Sequence, residues 1–311
     1  MFYKVTDKIC EVPLKELDQN AIGIGILSME EFRDLWADFG FSDSTLESCE
    51  NPSRSLQNTV QVYDDYTFGL LQVIQDSDIL GERDRIAFFI KKNLFLIVDI
   101  RDVDQSTIGA LTAALEHPAF VRRPTLEKVV YAFLSRLISG DIATLERLES
   151  SVEELDRRVS DGDTNGFDRD LALLRRKLLI LRGYYEHLVS VGEDLAANEN
   201  GLFTGESLRY LKLFTDRAAR LSGNVQMQRE AAAQLREAYQ ARMDYNLNSI
   251  MKLFTVVTTV FLPLTLITSW YGMNFVHMPE LRWPFAYPAV LILCIGIVTG
   301  CLLWFKKKKL L

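Results

Sequence analysis

The chain is predicted to be an α+β membrane protein: an N-terminal cytosolic α/β domain, a long helical coiled-coil stalk and a C-terminal two-helix transmembrane hairpin. Three observations predict it. Two uncharged apolar runs, Leu253–Tyr271 and Trp283–Phe305, lie near the C-terminus. Each is about 20 residues, the length a helix needs to cross about 30 Å of hydrocarbon. Before them lies a charged stretch with helical periodicity, and before that a set of short runs rich in β-formers. The boundaries follow as 1–120 for the α/β domain, 121–250 for the stalk and 251–311 for the hairpin, with crossings at 251–271 and 283–305 joined by a loop at 272–282.

In the first domain, strands are expected at Phe2–Val5, Ala21–Leu27, Thr59–Tyr63, Tyr66–Ile74, Arg85–Ile90 and Leu94–Ile100. Ser28-Met29-Glu30-Glu31 is a capping box that opens a helix running through Trp36 and Phe39. Asp104–Leu115 is a second helix candidate, and Asn93 suits a hairpin turn. Neither a Gly-rich phosphate loop nor a nucleophile elbow is present, and no nucleophile–base pair or metal triad suggests an enzyme.

From Pro124, which suits a first helical turn, the pattern turns to long helices. Leu145, Leu148, Val152, Leu155 and Val159 repeat at alternating steps of three and four, as do Leu174, Leu178, Leu181, Tyr185 and Leu188. The break between them, 161–166, carries Asp161, Asp163, Asn165 and Gly166, the first half of a calcium loop. The twelfth position, which would need a bidentate Glu, is Ala172, so a polar helix-hairpin turn is the better reading. A last helix begins near Glu206 and meets no Pro before Pro263; continuous to Tyr271, it is about 65 residues or about 100 Å.

A formal net charge of −7 argues against nucleic acid as partner and is compatible with binding cations. Cys10, Cys49, Cys294 and Cys301 show neither metal-ligand nor redox spacing and read as buried small residues in a reducing compartment. No export signal is visible at the N-terminus, so a cytoplasmic N-terminal domain is expected, with the C-terminus returned to the same side of an inner membrane. Lys306, Lys307, Lys308 and Lys309 then sit where the positive-inside rule puts them.

On the first crossing, Asn248, Met251, Thr258, Leu262, Thr265 and Ser269 share one helical face, with Phe254 or Thr255 filling the seven-residue step. Spacing alone leaves two readings open. The hydroxyls line a pore, or they bond to their own backbone or to a neighbouring helix, which Thr259 and Thr268 off the stripe favour.

Tyr271-Gly272-Met273-Asn274-Phe275, followed by Met278-Pro279-Glu280-Leu281-Arg282-Trp283 and the closing lysines, resembles the CorA family of magnesium and cobalt channels. The likeness covers the whole chain in layout and is close in sequence from about Asn246 onward. It implies a homo-oligomer, a pentamer in the family, that conducts divalent cations (chiefly Mg2+, with Co2+ and Ni2+ admitted) through the bilayer. It also implies that the stripe lines the pore and that Met251, Phe254 and Leu262 form apolar collars that gate it. A ring of Asn274 amides offers a hydrated Mg2+ neutral oxygens, because this ion dehydrates reluctantly. Gly272 lets the chain turn off the helix end, and Glu280 adds negative potential at the entrance or pairs with Arg282. His277 is a lone loop histidine for which a ligand role is the lesser reading.

Family members also bind Mg2+ between neighbouring cytosolic domains, through an acidic residue of the α/β domain and an Asp on the stalk. An ungapped count back from Asn274 puts Leu213 at the stalk position, so Asp216, one turn away, is the substitute, with Asp64 and Asp65 as candidates on the domain side. The same two residues also suit a turn between strands. The four lysines resemble the family's basic ring and equally suit a membrane-surface anchor. Alternatives are a zinc-selective or proton-coupled relative, and a non-transporting membrane-tethered coiled-coil adaptor.

Overall fold

The computed structural model describes residues 1–6, 9–17, 21–51, 59–75, 78–102, 105, 107–109, 112, 124–274 and 278–308. The chain packs as two compact units, Met1–Leu235 and Arg236–Leu311. The expected boundary at 120/121 and most of the Asp104–Leu115 helix fall outside the described residues.

The first unit opens with β1 (Phe2–Val5), β2 (Ile9–Glu11) and β3 (Ile22–Ser28), then α1 (Met29–Leu35) and α2 (Asp43–Glu50). Strands β4 (Thr59–Val62), β5 (Tyr66–Val73), β6 (Asp84–Lys91) and β7 (Leu94–Arg101) follow. Among the described residues they form one seven-stranded sheet in the order β2-β1-β3-β7-β6-β5-β4. Only the central β3–β7 pair is parallel. Asn93 turns β6 into β7 at φ 60°, as its position predicts.

Helices cover both faces of the sheet. On one face Phe68, Phe89, Leu96 and Val98 meet Phe32 of α1 and Phe41. On the other, Phe88 and Phe95 take the edge of Phe133 from α3 (Leu126–Leu137) at 6.4 and 5.1 Å between ring centroids. The capping box at Ser28 forms as expected, with Glu31 N donating to Ser28 Oγ and Ser28 N to Glu31 Oε2. Helix α1 nevertheless stops at Leu35 rather than running through Phe39. The chain turns at Gly40 (φ 74°), which returns Phe41 to stack on Phe89 at 4.3 Å. The aromatic core therefore overrides the helical pattern. Thr125, not Pro124, caps α3, its hydroxyl accepting from Lys128 N, so the proline precedes the helix.

Next come α4 (Asp141–Asp161), α5 (Phe167–Ala197) and α6 (Leu208–Tyr271), the last a single helix of 64 residues. Both predicted seams are inward: Leu145, Leu148, Leu155 and Val159 on α4, and Leu174, Leu178, Leu181, Tyr185 and Leu188 on α5, are buried, with Val152 half-buried. Gln228 Nε2 of α6 donates to the Leu145 carbonyl at 2.9 Å, holding α6 beside α4. The 161–166 break is a helix-hairpin turn whose carboxylates are already neutralised. Arg157 holds Asp161 at 3.1 Å, and Arg158 reaches Asp163 at 3.6 Å and Asp170 at 2.8 Å. Gly162 and Gly166 supply the left-handed corners.

The connection from α5 to α6 is tied back to the α/β layer. Asn200 Nδ2 donates to the carbonyls of Tyr63 and Tyr66 and to Thr67 Oγ1 at 2.9–3.2 Å. Buried Glu127 accepts from Thr204 N and Oγ1. Cys49 is buried in the sheet core, and desolvation, aided by nearby Glu50, pushes its thiol up to about 12; Cys10 is exposed. Cys49 fits the reading of the cysteines as buried small residues, and exposed Cys10 departs from it.

Gly69 lies directly opposite Phe88, and a Cβ there would sit 2.1 Å from that ring. Gly69→Ala therefore forces Phe88 off its place against Phe133. The expected cost is about 1–3 kcal/mol, seen as a lower unfolding midpoint of the full-length protein in denaturant.

Candidate ion pathway

The second unit is built from two helices long and apolar enough to cross a membrane: the C-terminal part of α6, and α7 (Ala286–Lys307). Among its described residues only Val256 and Phe305 are buried apolar side chains. Met251, Phe254 and Leu262 are all more than 60 % exposed, so in one chain the predicted stripe has no protein partner of its own. Lipid or further copies must cover these surfaces.

The threonines on and off that stripe behave alike. Thr258 Oγ1 donates to the Phe254 carbonyl at 2.8 Å and Thr265 Oγ1 to the Phe261 carbonyl at 2.9 Å. Thr255, Thr259 and Thr268 make the same bond one turn back. The back-bonded reading is therefore the observed one, and it leaves a pore role open. With its proton committed to the backbone, each hydroxyl oxygen still has a lone pair to accept with. That is the group a cation's water shell needs, because bound waters are donors.

Helix α6 ends at Tyr271. Gly272 N donates to the Thr268 carbonyl at 3.0 Å and Met273 N to the Trp270 carbonyl at 3.4 Å. Gly272 does not use a left-handed conformation. A Cβ there would lie 3.1 Å from the Thr268 carbonyl oxygen, a tight contact that favours glycine. The sharp turn expected of this residue is therefore not made with positive φ. Met273 and Asn274 follow, both exposed, beyond the negative end of the helix dipole. Glu280 is exposed on a short 3₁₀ turn, Pro279–Arg282, that leads into α7. Phe275, His277 and Lys309, and the side chain of Arg282, lie outside the described residues. Lys306 and Lys307 end α7, complementing its dipole, and Lys308 caps it.

Asp64 and Asp65 are exposed in the turn between β4 and β5, so the turn reading of these residues is met. Asp65 is held by Lys91 at 3.1 Å, while no ion pair to Asp64 is seen among the described residues. Asp216 is exposed on α6, one turn from exposed Leu213. Among the described residues no group of three or more His, Cys, Asp or Glu could hold a metal within one chain. Sequence reasoning missed Asn200 and Glu127, which anchor the structure around these candidates. A lone Asn in an Asn-Glu-Asn-Gly turn carries no local signal of its partners in a distant hairpin.

A family model for CorA-like Mg2+ transporter proteins matches residues 26–307. The chain belongs to this family. The cobalt/magnesium transport protein CorA of Thermotoga maritima is 26 % identical over 278 residues, 87 % of this chain and 77 % of that protein. The magnesium transport protein CorA of Escherichia coli is 32 % identical over 168 residues, about half of each chain (53 % and 52 %). The fold matches the complete structure of the CorA magnesium transporter from Methanocaldococcus jannaschii at a TM-score of 0.79 and 20 % identity. That match covers 98 % of this chain and 97 % of the other. CorA-like proteins are transporters, and the two apolar helices are what membrane residence requires.

Replacing Gly272 by Val drives a branched side chain into the Thr268 carbonyl. Uptake of Mg2+ by cells relying on the variant is expected to fall by about tenfold or more while the protein still reaches the membrane, judged by ion uptake beside membrane fractionation.

Proposed function

We propose that several copies of this chain, five by the family's pattern, surround one pore in the inner membrane and conduct hydrated Mg2+, with Co2+ and Ni2+ admitted, passively down the electrochemical gradient. Both termini are on the cytoplasmic side. The observation that carries the reading is the pairing of two features on one helix. The exposed stripe of Asn248, Met251, Phe254, Thr258, Leu262, Thr265 and Ser269 presents outward-facing acceptors between apolar collars. The exposed Tyr271-Gly272-Met273-Asn274 segment stands at the end of the same helix.

Neutral oxygens suit the ion. A carboxylate would bind Mg2+ too tightly to release it, whereas an amide ring at Asn274 attracts the waters it carries. Leu253–Tyr271 contains no acidic residue, which favours conduction over proton coupling. A divalent ion falling through 100 mV gains about 4.6 kcal/mol, so the membrane potential is a sufficient driving force. Met251, Phe254 and Leu262 close the path by dewetting when the ring narrows. Glu280 adds negative potential at the mouth, and Lys306–Lys309 ring the cytoplasmic base.

Cytosolic Mg2+ also serves as the regulatory ligand, held between neighbouring copies by Asp216 of one and Asp64 or Asp65 of the next. Solvent exposure of all three in the single chain supports this, because a shared site must be reachable by a neighbour. Of the pair, Asp64 is the better ligand, since Lys91 already neutralises Asp65.

The test is Mg2+ flux into liposomes with an imposed potential and no pH gradient, the unaltered protein beside Asn274→Ala. Flux should follow the potential, fall by about tenfold or more in the variant, and rise when chelator is sealed on the cytosolic side. Flux of Zn2+ alone, and only with a proton gradient, would overturn the reading. So would a folded oligomer passing no divalent ion even with chelator.

A further inference from the structure

The charges on the bundle of the first unit are segregated. On α4, Arg157 sits in ion pairs with Glu154 and Asp161, and on α5 Arg182 pairs with Glu186 one turn on. Glu146, Glu149, Glu153 and Asp156 are different. They step by three and four along α4, all are exposed, and among the described residues none pairs with a cation. Ile142, 52 % exposed, begins the same stripe. The groove between α5 and α6 is the complement. Arg175, Arg176, Arg182 and Arg229 rim a space of about 540 Å³ that a single carboxylate, Glu230, also lines, with Leu179, 59 % exposed, among them. Arg175 and Arg176 have no carboxylate at ion-pair distance among the described residues.

We infer that the acidic stripe of α4 docks in the arginine groove of the next copy, as the contact that closes the ring. This rests on the reading that several copies surround one pore.

Three geometric facts favour a second copy as the occupant. First, heights match. Rotation about a ring axis that runs along the bundle keeps every residue at its level, so facing residues must sit equally far from the 162–166 turn. Glu146 is 15 residues before the end of α4 at Asp161, and Arg182 is 15 after the start of α5 at Phe167, both about 22 Å from the turn. Glu149 and Leu179 share a level of about 18 Å, and Glu153 sits with Arg175 and Arg176 at about 12 to 14 Å.

Second, the two faces differ, as a head-to-tail ring requires. At 100° per residue, the acidic stripe lies on the flank of the α4 seam opposite the α4–α5 groove, which is lined by Ser151, Glu154 and Arg158. It therefore faces outward beside α6, while the arginines face outward on the other side of α6. Third, two faces that flank α6 turn that helix toward the ring axis. It is the helix that runs on to the candidate pore face.

The test uses the full-length protein in detergent at low salt, its mass followed by light scattering on dilution, with Mg2+ flux measured in parallel. Two triple variants are made, R175E/R176E/R182E and E146R/E149R/E153R. Each should dissociate at about tenfold higher protein concentration than the unaltered chain, and the six-fold combination should restore the unaltered behaviour. Restoration also shows that both triples fold. Three unchanged dissociation curves would overturn the inference and leave the transport reading intact, and so would a combination no better than either triple. An unaltered chain that is monomeric and passes no Mg2+ would defeat the transport reading itself, and with it this contact.

Discussion

Hydrocarbon offers no partner to a backbone N–H or carbonyl, and that constraint governs the last quarter of the chain. It makes both crossings helical and pushes the threonine protons of α6 onto carbonyls one turn back. It also leaves the exposed apolar faces of α6 and α7 to be covered by lipid or by further copies. Two helices cannot enclose a wet path, so any path for an ion has to be shared among copies. The charge segregation on the bundle follows from the proposed ring in the same terms: copies that close a ring must each carry both halves of a contact.

The first unit is organised to hold one end of the long helix. Phe32, Phe41 and Phe89 on one face of the sheet, and Phe88, Phe95 and Phe133 on the other, make a rigid layer. Asn200 and Glu127 then fasten the start of α6 to that layer through bonds that span 77 to 137 residues of sequence. The β4–β5 turn carrying Asp64 and Asp65 shares the Asn200 anchor, so the turn and the helix start are held by one side chain.

Much of this was legible in the sequence because its signals are local and periodic. The strands at Phe2–Val5, Tyr66–Val73 and Leu94–Arg101, the buried seams of α4 and α5, and the two apolar helices follow from spacing alone. The early end of α1 was not legible, since packing of Phe41 on Phe89 is a tertiary event. Nor was the short strand β2 or helix α2, whose apolar content is too sparse to show a period. At the candidate pathway, residue identity was readable but geometry was not. The proton direction at Thr258 and Thr265, the crowding at Gly272 and the Lys91 partner of Asp65 appear only once the chain is folded.

The central claim is that one face of α6 meets water inside the bilayer, and cysteine accessibility tests it most directly. In a chain with Cys10, Cys294 and Cys301 replaced by Ala, Cys49 stays silent because it is buried with its thiol pushed up to about 12. Single cysteines at 251, 258, 262, 265 and 269 are then compared with cysteines at 257, 259 and 266, using a charged, membrane-impermeant thiol reagent during Mg2+ flux. The account predicts labelling and block at the first set, slowed by Mg2+, and neither at the second. Equal labelling of both sets, or labelling of the second set alone, would contradict it.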